Sequence, residues 1–492
     1  MNILFTHSYF LRFDPKQWKQ QQPYPPLGTV QAAAVLRENG YSVFLHDVMF
    51  EKNAESIISP LKKIKPDVLV IYDDGFNYLT KMCLTNMREA AFEMSKIAKQ
   101  NGCTVIICSS DSTDHYEKYL DNGADFIIQG EGEITLLELL DSFRPEDSIR
   151  AEQSYHLVGI IFRKNGKTII NPKRKILNDL DSLTLPAWDL INITPYKEMW
   201  QKSSGFFSVN MNTTRGCPFH CNWCAKPIYG NRYNSRSPGH VIGEIRLLKE
   251  KFNFDHIWFC DDIFGLKRGW INRFADLIEK EKIKIRFKIQ SRVDLLLQEN
   301  NIAGLARAGC ETVWVGAESG SQKILDAMEK GTTVEQIYET TRLLKKHNIK
   351  PAFFLQFGYP GETKEDIDAS IKMVMDLLPH DIGVSVSYPL PGTKFYENVK
   401  EQLSQKSNWT DSDELALMFK NNYPSEFYKE LHRFIHKSYR TKQGIEELKN
   451  IFVNSVGISA LSLKRIAAVP YHLTGKFIHQ YKMKEYEFPA VK

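Results

Sequence analysis

Arg215-Gly-Cys-Pro-Phe-His-Cys-Asn-Trp-Cys224 is the stretch that decides how this chain is interpreted. Its cysteines, Cys217, Cys221 and Cys224, are spaced so that one loop can hold them around one metal centre, and thiolates suit iron-sulfur clusters or zinc. A zinc site needs a fourth ligand, and the candidate, His220, lies inside the loop between two of the cysteines. No second cysteine pair at zinc spacing occurs in the chain. Three thiolates with one open position therefore favour a 4Fe-4S cluster with an exchangeable iron.

This loop follows the first strand of a pattern in which strands and helices alternate over residues 205–395. Six apolar stretches predict six strands, at 207–211, 256–259, 286–290, 312–315, 352–357 and 383–387. Each is followed by a segment with helical periodicity. Six such units predict a partial (β/α)6 barrel rather than a full barrel of eight.

The first 145 residues carry a second alternating pattern. Short apolar runs predict strands at 2–5, 42–45, 67–72, 104–108 and 125–128, and a helix is predicted over 79–101. Strands that alternate with helices indicate a parallel, doubly wound, Rossmann-like sheet. Small polar residues follow its fourth and fifth strands, in Cys108-Ser-Ser-Asp-Ser-Thr113 and Gln129-Gly-Glu-Gly-Glu133. Such loops bind ligands at the carboxyl ends of strands, and the alternative is two ordinary turns that cap helices.

The predicted fold class is therefore α/β, with four parts along the chain. Residues 1–145 form the doubly wound domain and 146–204 a linker with a hairpin around Asn165-Gly166. Residues 205–395 form the partial barrel, and 396–492 form a mostly helical C-terminal region.

Composition limits the function classes. The 492 residues have 42% apolar content and a formal charge of only +5, so nucleic-acid binding is not expected. Eight cysteines, three of them within eight residues, do not form a disulfide framework. No signal peptide or membrane span is expected, which favours the reducing cytoplasm. The positive charge is concentrated in 420–492, with 13 basic and 6 acidic residues.

Together these motifs resemble the cobalamin-dependent radical S-adenosylmethionine (SAM) enzymes, especially the anaerobic magnesium-protoporphyrin ester cyclase and hopanoid-modifying branch. The resemblance rests on the cysteine motif with Trp223 before its last cysteine and on several ordered segments. These are Tyr24-Pro-Pro-Leu-Gly28, Gly130-Glu-Gly-Glu133, Cys260-Asp-Asp-Ile-Phe264, Gln290-Ser-Arg-Val293, Gly316-Ala-Glu-Ser-Gly-Ser321 and Gly358-Tyr-Pro-Gly-Glu-Thr363. It covers residues 1–395 and implies that 1–145 is a cobalamin-binding domain and that 205–395 is the radical SAM core. The resemblance is weak over residues 396–492, which are predicted to form a helical cap.

The resemblance also implies site residues, although it assigns no catalytic side chain. Cys217, Cys221 and Cys224 would bind three irons of a 4Fe-4S cluster, and SAM would chelate the fourth. The predicted SAM contacts are Trp223, Asp261, Asp262, Ser291, Arg292, Glu318 and Ser319. Trp223 is expected to stack on adenine, and Arg292 is expected to form two parallel hydrogen bonds to the SAM carboxylate through its planar guanidinium. The alternatives are a core tryptophan, a turn cap and structural ion pairs.

Cobalamin is the third implied cofactor, after the cluster and SAM. Its predicted contacts are Pro26, Gly28, Ser109, Ser110, Asp111, Ser112, Thr113, Gly130, Glu131, Gly132 and Glu133. The Asp-x-His-x-x-Gly signature that supplies an imidazole to cobalt is absent, so no histidine on cobalt is expected. A relic domain without cobalamin is the alternative.

The function that the resemblance implies is reductive cleavage of SAM and methylation of an unactivated carbon in a small-molecule or lipid-like substrate. An external electron donor of the flavodoxin or ferredoxin type is expected. The alternatives are an oxidative cyclase or hydroxylase without methyl transfer, a non-catalytic cobalamin-binding protein and a methylthiotransferase acting on tRNA. The last would need an N-terminal domain with its own cluster cysteines.

The basic tail has two interpretations. Residues 454–477 mix apolar side chains with Lys464, Arg465 and Lys476 and contain no acid. This composition suits either a helical cap over the barrel mouth, which the sequence analysis favours, or peripheral contact with an anionic membrane.

Overall fold

A computed structural model describes residues 1–76, 84–143, 154–225, 228–298, 300–403, 408–412, 414–454 and 460–487. The chain separates into two compact units. The first unit contains 1–219, 225–289 and 408–414, and the second contains 220–224, 290–407 and 415–492. The start of the helix predicted over 79–101 and the predicted boundary at 145 lie outside the described residues.

The first unit contains a seven-stranded sheet with the order β2-β1-β3-β4-β5-β6-β7. Its strands are β1 (Asn2–Thr6), β2 (Ser42–Leu45), β3 (Val68–Tyr72), β4 (Thr104–Cys108), β5 (Phe126–Ile128), β6 (Ile160–Lys164) and β7 (Lys167–Ile170). The first five are parallel, and β6 and β7 add an antiparallel hairpin beside β5. The hairpin predicted around Asn165 therefore extends this sheet to residue 170.

Alternate strand residues of this sheet face two separate cores. Leu69 and Val105 belong to a core with Met94, whereas Val70 and Ile106 belong to a core with Leu136. Helices cover both faces because the central strands β1, β3 and β4 carry apolar residues on both sides. The predicted doubly wound fold is confirmed, and its strand order reverses between β1 and β3.

A second sheet of six strands has the order β15-β14-β13-β12-β11-β8 and forms a half-barrel of parallel strands. Its strands are β8 (Ser208–Met211), β11 (His256–Phe259), β12 (Arg286–Ser291), β13 (Cys310–Glu318), β14 (Lys350–Phe357) and β15 (Asp381–Val386). Two short antiparallel strands, β9 (Thr214–Arg215) and β10 (Asn234–Ser235), pair separately. The predicted partial barrel is confirmed, and the main difference is a longer β13.

The described α-helices follow the predicted alternation. They are α1 (Pro15–Gln20), α2 (Leu27–Glu38), α3 (Ile58–Ile64), α4 (Thr85–Gln100), α5 (Ser110–Asp114), α6 (Tyr116–Asp121), α7 (Glu133–Asp141), α8 (Thr194–Ser204), α9 (Pro238–Phe252), α10 (Trp270–Lys280), α11 (Val293–Leu296), α12 (Asn301–Ala308), α13 (Gln322–Ala327), α14 (Val334–Lys346), α15 (Lys364–Leu377), α16 (Lys394–Val399), α17 (Ser425–Asn454), α18 (Ala460–Ala467) and α19 (Val469–Glu487). The 3₁₀ helices are Leu11–Phe13, Ala54–Ile57, Ser154–His156, Leu180–Ser182, Trp188–Leu190 and Lys400–Gln402. None of the described helices is both long and apolar enough to cross a bilayer.

In the second unit, α17 lies along the edge strand of the half-barrel. Its Tyr439 hydroxyl donates to the Pro379 carbonyl at 2.7 Å, just before β15, and Gln443 donates to the His380 carbonyl. Near its start, Tyr428 packs against Gly358 at the end of β14. The helix therefore covers the β15 edge, which would otherwise be open to strand pairing. Helix α19 packs on α17.

Candidate functional site

The loop that carries the three cysteines is closed at its base by strand pairing. Strands β9 and β10 pair Arg215 with Asn234, so residues before and after the loop are hydrogen-bonded to each other. Gly216 adopts φ +78°, and a Cβ there would lie 2.2 Å from the carbonyl oxygen of Arg232. Only glycine fits this close approach of two backbones. The Arg-Gly-Cys sequence is thus required by the geometry of the loop.

The three cysteines of the loop are half-buried, and none forms a disulfide. Within the described residues, no three His, Cys, Asp or Glu side chains are placed to hold one metal ion. A 4Fe-4S cluster makes a different demand, because each thiolate binds a separate iron. In the second unit the Arg292 guanidinium Nη1 lies 3.8 Å from Cys221 Sγ. The guanidinium therefore places positive charge beside a sulfur atom that is predicted to bind iron.

Asn222, between two of the cysteines, fixes the loop and was missed by sequence reasoning. Its side chain donates to the Ala327 carbonyl at 2.7 Å and accepts from the Tyr359 hydroxyl at 3.0 Å. Its backbone N–H donates to the Met328 carbonyl, and its carbonyl accepts from the Phe395 N–H. A polar residue inside a ligand loop was the available signal. Asn222 therefore positions the loop on the second unit.

Trp223 packs against an apolar cluster of the second unit that includes Met328, Tyr359 and Phe395. The ring is partly buried, and its Nε1 has no hydrogen-bond partner among the described residues. The flat indole ring suits both interpretations of Trp223, as a residue that stacks on adenine and as a tryptophan of the core. Its contact with SAM stays a prediction.

Ser291 and Arg292 are buried at the end of β12. Arg292 forms an ion pair with Asp294, with Nε 3.0 Å from Oδ1, in addition to its approach to Cys221. Its planar fork is thus held in place by a neighbouring carboxylate. If Arg292 also binds the SAM carboxylate as predicted, its guanidinium would contact that carboxylate, Asp294 and Cys221 at the same time.

Glu318 ends β13 in a left-handed conformation, with φ +57°. Its Oε1 lies 2.8 Å from Lys330 Nζ, and both side chains are buried. Burial alone would lower the pKa of Lys330, but Glu318 and the Cys221 thiol raise it. A Cβ at Gly316 would lie 2.5 Å from both atoms of the pair. Sequence reasoning missed Lys330, because an isolated lysine between Glu329 and Gly331 gives no signal.

Ser319 has a structural partner beside Glu318. Its hydroxyl is within 3.1 Å of the Ser370 hydroxyl and also accepts from the Ser321 N–H at 3.1 Å. These bonds tie the turn after β13 to α15. The predicted SAM contact of Ser319 stays a prediction.

Asp261, after β11, is engaged with the strand that leads to the cysteine loop. Its Oδ1 accepts from the backbone N–H groups of Thr213 and Thr214, and its Oδ2 accepts from the Thr213 hydroxyl, each at 2.7 Å. Burial nevertheless raises the pKa of Asp261 to about 6. Asp262 is exposed. The structure thus gives Asp261 a supporting role beside its predicted contact with SAM.

The predicted cobalamin residues after β4 form the start of a helix. Ser109 and Ser112 exchange hydrogen bonds in a capping box, and the Thr113 hydroxyl donates to the Ser109 carbonyl at 3.1 Å. Asp111 pairs with the buried Arg88, with Oδ2 2.7 Å from Nε. Burial would raise the pKa of Asp111, but Arg88 lowers it. Ser109, Ser110, Asp111 and Ser112 are buried, and Thr113 is partly buried.

The carboxylates predicted after β5 both bind one buried arginine. Arg215 Nη1 lies 2.8 Å from Glu131 Oε1, and its Nη2 lies 2.7 Å from Glu133 Oε1. Burial raises the pKa of Glu131, and Arg215 opposes that shift. At Gly132, a Cβ would lie 2.7 Å from Cys108 Sγ, and Gly130 adopts φ +74°. Arg215 lies two positions before Cys217, so its two ion pairs connect the Gly-Glu-Gly-Glu loop to the start of the cysteine loop. Arg215 is part of the cysteine motif, but the sequence predicted no role for its side chain.

The segment before α2 is anchored on the first half of the barrel. The Trp200 indole donates to the Pro23 carbonyl at 2.7 Å, and Asn210 donates to the Pro25 carbonyl at 3.0 Å. Pro26 precedes α2, and the Gly28 N–H donates to Asp74 Oδ1 at 3.1 Å. The loop predicted to contact cobalamin is thereby fixed to strand β8.

One face of β8, β11 and β12 packs on helices, and the opposite face carries polar and aromatic side chains. Asn210, Trp258 and Lys288 occupy one row across the three strands. The Tyr24 ring lies 4.7 Å from the Trp258 ring, and Lys288 Nζ lies 5.2 Å from the latter. In barrels, the face away from the helices lines the interior. This row is therefore a candidate wall of the substrate site.

Comparison with known families agrees with this geometry. Residues 211–374 match the Radical SAM superfamily. The matched part begins at the end of β8 and covers the cysteine loop and the following strands as far as α15. The predicted resemblance to radical SAM enzymes is therefore confirmed, and residues 211–374 are the part of the chain that carries the match.

Two relatives cover most of this chain. An uncharacterized methyltransferase of Pyrococcus horikoshii is 26% identical over 91% of this chain and 94% of its own length. The anaerobic magnesium-protoporphyrin IX monomethyl ester cyclase of Cereibacter sphaeroides is 23% identical over 77% of this chain. This chain covers 61% of that cyclase. Such relatives support an enzyme.

Among solved structures, the cobalamin-dependent S-adenosylmethionine radical enzyme OxsB, with aqua-cobalamin bound, has a similar fold. The TM-score is 0.73 over 98% of this chain and 72% of OxsB, at 16% identity. The likeness extends through both sheets and the C-terminal helices. It confirms the predicted fold class.

Proposed function

We propose that this chain is a cobalamin-dependent radical SAM enzyme that methylates an unactivated carbon of a small-molecule or lipid-like substrate. The observation that carries the proposal is the loop with Cys217, Cys221 and Cys224, closed at its base by paired strands and flanked by Arg292 and Lys330. The methyltransferase relative, which matches nearly the whole chain, supports methyl transfer.

The donor set fits a 4Fe-4S cluster. Three half-buried thiols lie in one loop, and the buried side chains of Arg292 and Lys330 place positive charge beside Cys221. Asn222 holds the loop, and Glu318, positioned by Lys330, is the carboxylate offered to SAM. When bound, the cluster supplies one electron to cleave SAM, and cobalamin carries the transferred methyl group.

The first sheet fits cobalamin by its topology. The strand order reverses between β1 and β3, and ligands of such sheets bind at that point, beyond the carboxyl ends of the strands. Ser110 and Gly130 are small residues that follow β4 and β5 and would allow a ligand to approach the backbone, and Gly28 lies in the first turn of α2 beside Asp74. The chain's residues would bind and orient cobalamin there without a histidine on cobalt.

Domain roles follow from this proposal. Residues 1–145 bind cobalamin, 146–204 are a linker, 205–395 form the radical SAM core and 396–492 form a helical C-terminal cap. Tyr24, Trp258 and Lys288 would face the substrate and exclude water from the radical.

An external electron donor of the flavodoxin or ferredoxin type would reduce the cluster, and the enzyme would work in the cytoplasm. We also propose that the basic C-terminal tail contacts a membrane surface. This contact places the enzyme near lipid-like substrates.

Oxidative cyclisation is the second candidate, and the ester cyclase relative favours it. SAM labelled in its methyl group separates the two reactions. Methylation transfers the label to the product and releases S-adenosylhomocysteine, whereas cyclisation leaves the label in methionine.

The proposal is tested by anaerobic reconstitution of the Cys221→Ala variant. Wild type should bind about four irons and form 5'-deoxyadenosine from SAM, and the variant should lose both. Cys310→Ala is the matched control, because Cys310 is a buried cysteine of β13 outside the loop. Normal cluster absorbance and 5'-deoxyadenosine formation in Cys221→Ala would contradict the assignment.

Cobalamin binding has its own spectroscopic test. Electron paramagnetic resonance of the cob(II)alamin form should show no nitrogen superhyperfine splitting from a protein imidazole. Failure of the protein to retain cobalamin would favour the relic domain, and imidazole splitting would show that a histidine binds cobalt.

A further inference from the structure

The last two helices carry an unusual concentration of exposed apolar side chains. Seven large apolar residues of α18 and α19 are between 39% and 69% exposed. They are Leu461, Leu463, Tyr471, Leu473, Phe477, Ile478 and Tyr481. Only six other large apolar residues among the described ones are comparably exposed, and they are spread over the rest of the chain. We call the seven residues the tail surface. Single exposed apolar residues are ordinary, but a contiguous group marks an interaction site.

Helix α19 uses opposite faces for folding and for this surface. Gly475 and Met483 are buried, and His479 Nδ1 lies 2.6 Å from Glu430 of α17. Leu473, Phe477 and Tyr481 follow one another at intervals of four residues, so they form a single stripe on the helix. The stripe lies roughly opposite the buried face, at 100° per residue. Packing on α17 therefore does not account for the apolar stripe.

Basic residues surround the stripe. Lys464, Lys482 and Lys484 are exposed, and residues 460–487 contain five basic and two acidic residues. Lys484 follows Tyr481 by three residues and so lies on the same side of the helix. An apolar stripe with aromatic rings and flanking lysines is the pattern of a helix that lies in a membrane interface.

The charge pattern disfavours a second copy of the chain as the occupant. A two-fold contact through the tail surface would bring the same helix of both copies together. The five basic residues of one copy would then face those of the other, with only Glu485 and Glu487 of each copy to offset them. An anionic headgroup layer instead offers opposite charge to all of them.

We infer that the tail surface docks the enzyme on an anionic membrane, with α19 in the interfacial plane. Phe477, Leu473 and Ile478 insert among acyl chains, and Lys482 and Lys484 contact headgroups. This inference deepens the proposed membrane contact of the tail and rests on that part of the proposed function only. It does not depend on SAM cleavage, so the two can fail separately.

The test is co-sedimentation of the full-length, reconstituted protein with vesicles. Two compositions are compared, phosphatidylcholine alone and phosphatidylcholine with about one third phosphatidylglycerol. Binding should require the anionic lipid and should weaken as salt is raised. Phe477→Ser should weaken binding at least about tenfold, and Lys482→Glu with Lys484→Glu should do the same.

Matched controls remove similar groups elsewhere on the surface. Ile170→Ser changes an apolar residue of β7 that is 52% exposed, and Lys62→Glu with Lys63→Glu reverses two exposed lysines of α3. Both should bind vesicles as wild type does. All variants should keep the wild-type melting temperature and 5'-deoxyadenosine formation, because the changed side chains are exposed.

Three outcomes would overturn the inference. They are equal binding to both vesicle compositions, unchanged binding of the Phe477→Ser variant, and a wild-type dimer that Phe477→Ser converts to monomer without any vesicle binding. Loss of 5'-deoxyadenosine formation in Cys221→Ala with normal vesicle binding would separate the chemistry from docking.

Discussion

The carboxyl ends of the two sheets both carry predicted cofactor residues, but the structure equips them differently. At the first sheet, Arg215 binds Glu131 and Glu133, and all three are buried. Near the second sheet, Arg292 and Lys330 lie beside Cys221, a half-buried thiol. Charges of the first group satisfy one another and hold the loop. Charges of the second group are paired as well, Arg292 with Asp294 and Lys330 with Glu318, but they also lie beside Cys221, which is predicted to bind the cluster.

The largest effect that tests this comparison is expected for Arg215→Met. The variant leaves two buried carboxylates without their cation, and the free energy of unfolding should fall by about 3–5 kcal/mol. Urea denaturation measures the loss. Adding Glu131→Gln and Glu133→Gln should recover part of it, because the buried charges are then removed.

Arg163→Met is the control for Arg215, since Arg163 pairs with Glu117 and Asp121 at the protein surface. It should leave the unfolding free energy nearly unchanged. If Arg215→Met were as stable as this control, the first group would not be a structural network.

A smaller effect is expected from Glu362, which follows β14. Its Oε2 accepts from the Gly358 N–H at 2.6 Å, and its Oε1 is buried without a hydrogen-bond partner among the described residues. Burial raises the pKa of Glu362 to about 8. Between its unfolded value and pH 8 the folded state therefore binds more protons than the unfolded state. Stability should fall as pH rises through this window, by about 3 kcal/mol from pH 5 to pH 7.

Glu362→Gln tests this pH dependence because the amide keeps an acceptor for Gly358 but does not titrate. The melting temperature of the variant minus that of wild type should increase steadily from pH 5 to pH 8. Above pH 8 the variant should remain the more stable protein. Glu365→Gln, on the exposed start of α15, should follow the wild-type profile. Parallel profiles for wild type and Glu362→Gln would show that Glu362 is ionised in the folded protein.

The smallest effect is expected at Lys330. Lys330→Met removes the cation that orients Glu318, and SAM affinity of the reconstituted protein should fall about tenfold, or 1.4 kcal/mol, with iron content unchanged. Gly316→Ala should act similarly, because its Cβ would enter the ion pair. Equilibrium dialysis with SAM measures the change.

Lys323→Met is the control for Lys330, because Lys323 pairs with Asp366 near the surface. It should bind SAM as wild type does. Loss of iron in Lys330→Met would instead place Lys330 among the supports of the cluster.

Local sequence patterns predicted most of the fold. The strands at 42–45, 104–108 and 256–259 were predicted with their observed bounds, since short apolar runs between polar turns are decided locally. The segment Cys108–Thr113 was predicted as a ligand loop or a helix cap, and the capping box of Ser109 and Ser112 starts helix α5 there. Hydrogen bonds between serine side chains and the backbone can decide where a helix begins, and the sequence alone does not show whether they form.

The tail shows how burial decides what composition leaves open. Its charge and apolar content suited either a cap or a membrane contact. In the structure, α17 uses its apolar residues along the β15 edge, whereas α19 leaves Phe477 and Tyr481 exposed. Which face of a helix is covered depends on the neighbour it meets, and that neighbour is distant in sequence.

The sequence by itself determined the alternation of strands and helices, the spacing of the three cysteines and the resemblance to radical SAM enzymes. These depend on neighbouring residues, whose periodicity and spacing are read directly. Only the tertiary structure decided that Arg215 binds Glu131 and Glu133, more than 80 residues before it in the chain, and that Lys330 holds Glu318. Buried ions must be paired, but which partners meet is set by how the strands and loops fold together.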